Sequence, residues 1–341
     1  MSLNRLRSRS ERIAVVGAGV VGLSTALCIQ NKLPDARVTL IADKFNEQTL
    51  SDGAGGLFRP ELDIGPGIGI LKQWCKDSYE HFLSILKSED AGEAGVQFVS
   101  GFYLSSLDEI HENPLLNEFL PDTRKMSIKE LSMFPESFKN GLFFTTIIAD
   151  CRRYLPWMMK QFQEKGGMVE NKTVESFDQL AGNYDTVVNC TGLRAKDLTK
   201  DYKLVPIRGQ TIKVKAPWIK HFFYGDEVYI IPGIDYVTLG GIKEYGSWNM
   251  NVNPYHCNLI WEKCLKLVPS LKKATIEWNW VGLRPFRQPV RVEKEIIQYK
   301  DKVLKIVHNY GHGGHGVTLS WGTAKHATEL VVDLTKEGNC Q

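Results

Sequence analysis

The stretch Arg12-Ile-Ala-Val-Val-Gly-Ala-Gly-Val-Val-Gly22, continued by Leu23 to Gln30 and then by Arg37-Val-Thr-Leu-Ile-Ala-Asp43, decides the fold. Arg12 to Val16 is a short β-branched run, the pattern of a strand buried on both faces of a parallel sheet. Leu23 to Gln30 is rich in helix formers and small residues, and Arg37 to Asp43 reads as a second buried strand. Strand, glycine turn, helix and strand within about 30 residues make a βαβ unit. A G-x-G-x-x-G pattern is weak alone, but here it follows a strand, opens a helix, and has Asp43 about 20 residues further on. Gly17 allows the tight turn, Gly19 lets the backbone approach a pyrophosphate, and Gly22 lets helix and strand pack closely. The amides of Ala18, Val20 and Val21 and the helix N-terminus then offer unpaired N–H groups to phosphates. Asp43 is placed to accept from ribose hydroxyls. A glycine turn without a ligand is the competing reading, and the intact flanks argue against it. Lys44 is compatible with a 2′-phosphate partner and with a plain surface lysine.

Outward from this unit the chain is ordinary in composition. Of 341 residues, 43% are hydrophobic and 24% charged, which sets aside disordered, collagenous and disulfide-scaffold chains. The length suggests about two domains. Lys+Arg 42 against Asp+Glu 39 gives a formal net charge of +3, too even for nucleic acid as the main ligand. The seven cysteines form no CxxC pair, and with no secretory signal they read as reduced thiols in an intracellular compartment. Cys28 and Cys190 sit among apolar neighbours, as core fillers do. No run approaches the roughly 18 apolar residues of a membrane span. The first twelve residues carry four arginines and three serines, and read as a solvated arm in preference to a targeting presequence.

Further along, Ile70 to Leu86 and Arg153 to Lys165 have helical periodicity, and Asp185 to Gly192 is a third buried-strand pattern. Thr211–Lys215, Val228–Ile231 and Tyr236–Leu239 are β-rich runs separated by Pro232-Gly233 and Gly240-Gly241. They suggest an antiparallel sheet distinct from the opening unit. Val303 to His308 reads as a strand and Val317 to Leu334 as a closing helix. The order implies an α/β nucleotide-binding fold whose first and last elements bracket a β-rich insertion. Thr49-Leu-Ser-Asp-Gly-Ala-Gly-Gly-Leu57 sets hydroxyls and backbone amides just after the ribose-binding strand, where a flavin can be lined along its length.

The chain resembles the D-amino-acid oxidase / D-aspartate oxidase family, nearly end to end. The resemblance is carried by Ile13 to Ala26, Asp43-Lys-Phe45, Ser51 to Gly56, Arg153-Tyr-Leu-Pro-Trp157, Val188-Asn-Cys-Thr-Gly192, Pro206-Ile-Arg-Gly-Gln210, Ala216-Pro-Trp218, Tyr229-Ile-Ile-Pro-Gly233, Val237-Thr-Leu-Gly-Gly241, Val281-Gly-Leu-Arg-Pro-Phe-Arg287 and His308-Asn-Tyr-Gly-His-Gly-Gly314. It implies a Rossmann-type FAD-binding domain with a β-rich substrate-binding domain. Residues 11–58, 145–200 and 285–341 would form the first, and 59–144 and 201–284 the second. It also implies a non-covalent FAD and hydride transfer from a D-amino acid Cα to flavin N5. The imino acid then hydrolyses to an oxo acid and ammonia, and oxygen becomes hydrogen peroxide. No general base is required, because alignment of Cα–H does the work.

By motif, the resemblance assigns Arg284 to the substrate α-carboxylate, which a planar guanidinium grips in a fork. Tyr229 would meet the same carboxylate, and the Gly314 carbonyl the substrate amine. Gly311 to Thr318, including Gly313, His315, Gly316 and Val317, would wrap the flavin ring. There backbone amides and a helix N-terminus stabilise negative charge. Thr49, Ser51, Gly55, Gly56 and Leu57 would line the flavin, and Val174 and Thr191 would contact its adenine–ribose half. Without the resemblance, Arg284 reads as a surface ion pair and Tyr229 as a strand aromatic. His308, His312 and His315 resemble a metal cluster only superficially, since no carboxylate or thiol ligand is nearby in sequence.

The sequence also departs from the family. Gly53-Ala-Gly-Gly56 replaces the usual Val-Ala-Ala-Gly and reads as a looser loop that softens flavin binding. The lid tyrosine would fall near Tyr224, but the spacing to Tyr229 is one residue longer. A buried substrate carboxylate needs a cationic partner. Lys243 falls where the aspartate-oxidising branch carries a basic residue, and Arg59 where the neutral branch has an amide. Each alone reads as a solvated charge; together they favour D-aspartate and D-glutamate over neutral D-amino acids. The lid arginine of mammalian aspartate oxidases has no counterpart in His221-Phe-Phe-Tyr-Gly-Asp226. Rival readings are a sarcosine- or glycine-type amine oxidase, a nicotinamide-dependent dehydrogenase, and a scaffold protein that kept only the fold. The resemblance implies a peroxisomal enzyme, although Gly338-Asn-Cys-Gln341 is not a Ser-Lys-Leu-type address; otherwise the expectation is cytoplasmic. The expected partners are a D-amino acid and oxygen, with no nucleic acid or membrane, and a homodimer is compatible.

Overall fold

The computed structural model describes residues 10–110, 113–299 and 302–338. Most of the expected N-terminal arm and residues 339–341, with Cys340, lie outside the described residues. The strand Arg12–Val16 pairs in parallel with Arg37–Ala42 on one side and Thr186–Asn189 on the other. Met168–Asn171 and Lys302–His312 extend this parallel set at its two ends. Ile13, Ala14 and Val15 are fully buried, as the continuous apolar run requires of a strand covered on both faces.

The first helix is Val20–Lys32, starting three residues earlier than the periodicity suggests, because Gly19 in extended conformation already serves as its N-cap. The helix packs against Cys151–Glu164 and the closing helix Gly316–Gly338. The second expected helix is found at Ile68–Leu86. Not anticipated were the strands Val96–Ser105 and Asn140–Ala149, which pair with each other, the helix Pro254–Leu267 and the long strand Thr275–Tyr299.

The expectation of a separate antiparallel sheet is corrected. Among the described residues the β-rich segments belong to one continuous 14-stranded sheet that includes the opening unit. The physical reason is the strand Thr275–Tyr299, 25 residues long. Its first half pairs antiparallel with Val205–Lys215 and its second half with Lys302–His312, with a register shift between Phe286 and Arg291. One strand thereby joins the parallel set to the antiparallel segments. Cys28, Cys75, Cys151, Cys190, Cys257 and Cys264 are free thiols, and all but Cys257 are buried. No described helix is long and apolar enough to cross a membrane.

Gly17 follows Arg12–Val16, Asp43 follows Arg37–Ala42, Lys172 follows Met168–Asn171, and Thr191 lies just beyond Thr186–Asn189. All four line one cavity. It therefore opens at the carboxyl ends of the parallel strands, where open α/β sheets bind ligands.

Candidate active site

Two cavities of about 500 Å³ and 370 Å³ share Val20, Leu50, Ser51, Trp280, Gly313 and Gly316 in their walls, and so form one elongated site. The larger is lined by Gly17 to Gly22, Asp43, Lys44, Thr49, Ser51, Val174, Thr191, Gly311 and Gly313. The smaller is lined by Gly55, Gly56, Leu57, Arg59, Tyr229, Lys243, Arg284 and Gly313 to Thr318. Every cofactor- or substrate-binding candidate from the sequence thus falls on one wall or the other.

The glycine turn is bare backbone by necessity. Gly17 has φ +110°, and a Cβ there would lie 2.4 Å from the Cys190 carbonyl oxygen; one at Gly22 would lie 1.8 Å from the Gly17 oxygen. The helix that follows has no acidic residue in its first turn and no side-chain cap from Gly19. Its Val20 N–H donates to Ser51 Oγ at 3.0 Å. Asp43 stands exposed at the far end, 3.6 Å from the Arg194 guanidinium, which also donates to the Val174 carbonyl at 3.2 Å. These features fit a dinucleotide: a helix N-terminus without acidic residues in its first turn for the diphosphate and an acidic group for the ribose. Arg194 was not anticipated, because nothing local marks it.

The loop before Arg59 overturns the expectation of looseness. A Cβ at Gly53 would lie 2.0 Å from the Trp280 ring, one at Gly55 2.7 Å from Ile231 Cδ1, and one at Gly56, with φ +70°, 2.1 Å from the Ala149 oxygen. Neighbouring Asp52 is buried and receives Arg152 Nη2 at 3.1 Å. At Gly53 and Gly55 a side chain has no room, because Trp280 and Ile231 already fill the space. Buried Lys213 stands behind the loop, its Nζ donating to Thr238 Oγ1 at 2.8 Å. Burial draws its pKa below the ordinary lysine value.

At the other end, the Arg284 guanidinium occupies room left by Gly209, where a Cβ would lie 2.2 Å from Nη1. It donates to the Ile242 carbonyl at 3.3 Å and has no carboxylate partner among the described residues. It also lies against Tyr229, whose pKa is raised by burial and partly drawn back by this cation. Tyr224 is part of the wall: it ends the strand Phe222–Tyr224, pairs with Tyr229, and stacks on it with centroids 5.7 Å apart. Tyr103 stacks on the outer face of Tyr224 at 6.0 Å. Arg59 is no solvated charge, since its side chain is 13% exposed and ion-paired with Glu61. Lys243 is exposed on the same wall. His315 lies among Arg59, Lys243 and Arg284, and burial with these cations pushes its pKa down to about 3, leaving it neutral. Glu61 and Trp280 are wall residues that sequence reasoning did not assign, whereas Tyr224 stands near where the lid tyrosine is expected.

The histidines do not gather a metal: no group of three or more His, Cys, Asp or Glu able to hold one exists among the described residues. His308 bonds Glu295 Oε2 at 2.8 Å and His312 bonds Thr323 Oγ1 at 3.0 Å. Burial is the leading cause that lowers both, His308 to about 4 and His312 to about 3. Below about pH 6.5 the unfolded chain protonates each imidazole while the folded chain does not, so falling pH favours unfolding. Urea unfolding should therefore show stability lost from pH 6.5 toward 4, by about 2 kcal/mol per histidine at pH 5. A stability flat across that window would contradict the buried neutral assignment.

Residues 12–330 match the family model described as FAD dependent oxidoreductase. The D-aspartate oxidase of Homo sapiens is 41% identical over 322 residues, covering 94% of this chain and 94% of that protein. The D-amino acid oxidase of Dugesia ryukyuensis is 36% identical, covering 94% of this chain and 98% of that protein. Among solved structures, glycine oxidase from Geobacillus kaustophilus superposes with a TM-score of 0.75 at 16% identity, covering 96% of this chain and 95% of that chain.

Proposed function

Because the chain belongs to the FAD dependent oxidoreductase family, we propose that it oxidatively deaminates acidic D-amino acids, D-aspartate and D-glutamate, with non-covalent FAD as its cofactor and oxygen as co-substrate. The observation that carries the acidic preference is the charge on the substrate wall. Arg59, Lys243 and Arg284 face Glu61 and Asp63 there, a surplus of one positive charge, and His315 is neutral. A dicarboxylic amino acid with a protonated amine carries one net negative charge and balances that surplus. A neutral D-amino acid leaves it uncompensated. Relatives of both D-aspartate oxidase and D-amino acid oxidase type support the reaction class.

FAD, when bound, supplies the acceptor for the two electrons leaving the substrate. In this reading residues 11–58, 145–200 and 285–341 hold it, and 59–144 and 201–284 shape the substrate side. The amides from Gly17 to Gly22 and the helix start meet the diphosphate, and Asp43 meets the ribose. Val174 and Thr191 flank the adenosine half, with Lys44 at its edge. Thr49, Ser51, Gly55, Gly56 and Leu57, together with Gly311, Gly313 and Gly314 to Thr318, would line the flavin.

Arg284 takes the substrate α-carboxylate with Tyr229 beside it, and the Gly314 carbonyl accepts from the ammonium. With the carboxylate, the ammonium and the side chain all held, the Cα–H of a D-amino acid has one direction to point, so positioning supplies the catalysis and no side-chain base is needed. Lys243, with Arg59, receives the side-chain carboxylate.

Steady-state peroxide assays test the reading. The wild type should prefer D-aspartate to D-alanine, and Lys243→Ala should raise KM for D-aspartate about tenfold while leaving D-alanine within about twofold. D-alanine or D-proline outperforming D-aspartate in the wild type would assign the neutral branch instead.

A further inference from the structure

Glu61 sets a carboxylate on the wall that an acidic substrate's own side-chain carboxylate would face. It is ion-paired with Arg59 Nη1, and the pair is poorly screened because the Arg59 side chain is 13% exposed and that of Glu61 34%. Arg59 is pinned from its other faces. Its guanidinium carbon lies 4.2 Å from the Tyr224 ring centroid and 5.7 Å from that of Tyr103. Its backbone N–H donates to Thr318 Oγ1 at 3.3 Å. Glu61 belongs to a stretch without helix or strand, between the bridge residue Leu57 and the helix Ile68–Leu86. Arg59 shares that stretch, but the Tyr224 and Tyr103 rings hold its guanidinium, whereas Glu61 has no hydrogen-bond or ion-pair partner except Arg59 among the described residues. Lys243 and Arg284 carry no such counter-ion among the described residues, so Arg59 alone of the three wall cations is already engaged.

Resting on the acidic-substrate reading, we propose that Glu61 is a resident competitor for Arg59 that limits how tightly the pocket holds a side-chain carboxylate. An incoming D-aspartate meets one cation that is free, Lys243, and one that must first be released by Glu61. Release exchanges one charge-assisted pair for another and returns little binding energy. A Glu61 that stays in place repels the substrate's side chain directly, the repulsive half of specificity. Neutral substrates carry no such group and do not sense the competition.

Neutralising Glu61 leaves Arg59 held by the tyrosines and unpaired. Glu61→Gln should lower KM for D-aspartate and D-glutamate about tenfold, with KM for D-alanine within twofold. Malonate, a dicarboxylate without an amine, should bind the FAD-loaded variant about tenfold more tightly, read from the flavin absorption without turnover. In the double variant Arg59→Met/Glu61→Gln the gain should vanish, which separates competition for Arg59 from a general change of potential. Glu61→Ser serves if the glutamine variant is unstable. Weaker D-aspartate and malonate binding in Glu61→Gln, or an unchanged D-aspartate to D-alanine ratio, overturns the proposal. A wild type that prefers D-alanine would sink the acidic reading itself. Wild-type acidic preference with an unresponsive Glu61→Gln would sink only the role of Glu61.

Discussion

Arg284→Ala should lower kcat/KM for every D-amino acid, acidic or neutral, by about 10³, while the purified protein keeps its FAD. The size follows from the guanidinium's surroundings. It has no internal carboxylate partner, it lies against the Tyr229 hydroxyl, and Gly209 leaves no slack on its far side. Losing it removes a charge-assisted fork and also the alignment of Cα–H, so both binding and the chemical step suffer. Arg284→Lys keeps the charge but not the planar pair of donors, and should recover only part of the loss. Steady-state kinetics on flavin-replete protein check both variants. Full activity in Arg284→Ala toward any D-amino acid would mean the carboxylate is held elsewhere.

The second large effect belongs to the turn. Gly22→Ala should yield protein purified largely without flavin, with FAD affinity at least 100-fold weaker and a lower melting temperature. A Cβ there meets the Gly17 carbonyl oxygen at 1.8 Å, and the obstacle is main chain that no rotamer change can move. Gly17 cannot yield, because its N–H donates to the Ile41 oxygen at 2.8 Å and its own Cα faces Cys190. The helix must separate from the turn that presents its amides, and overpacking of this kind costs about 1–3 kcal/mol even where neighbours can adjust. Titration of FAD into the apoprotein, followed by flavin fluorescence, measures the loss. Wild-type affinity in Gly22→Ala would show that the diphosphate does not sit on this turn.

The opening unit was legible because its constraints are local. Gly17 and Gly22 answer to each other, and Arg12–Val16 needs only its own apolar run to be recognised. The helix Pro254–Leu267 went unread even though Asn253 caps it, accepting from the Tyr255 N–H at 2.9 Å ahead of Pro254. What was not legible depends on distant partners. The glycines of Gly53-Ala-Gly-Gly56 look permissive until Trp280 and Ile231 are seen against them. Tyr224 becomes a wall residue through pairing with Tyr229 and stacking on Tyr103, a contact set by the parallel pairing of Val96–Ser105 with Phe222–Tyr224. The long strand Thr275–Tyr299 was not read from the sequence, because its halves serve two distant neighbours and fuse both regions into one sheet. Arg59 was read as a cation for the substrate; that Glu61, two residues on, turns back to pair with it is a matter of loop conformation.

The account rests on an FAD held over the amides between Val16 and Leu23 and an amino acid gripped at Arg284 beside it. Anaerobic addition of D-aspartate to the purified protein, followed in the visible spectrum, tests both together. Oxidised flavin bands present at the start should bleach with D-aspartate and persist with L-aspartate. Colourless protein, or bands that D-aspartate leaves unchanged, would contradict it.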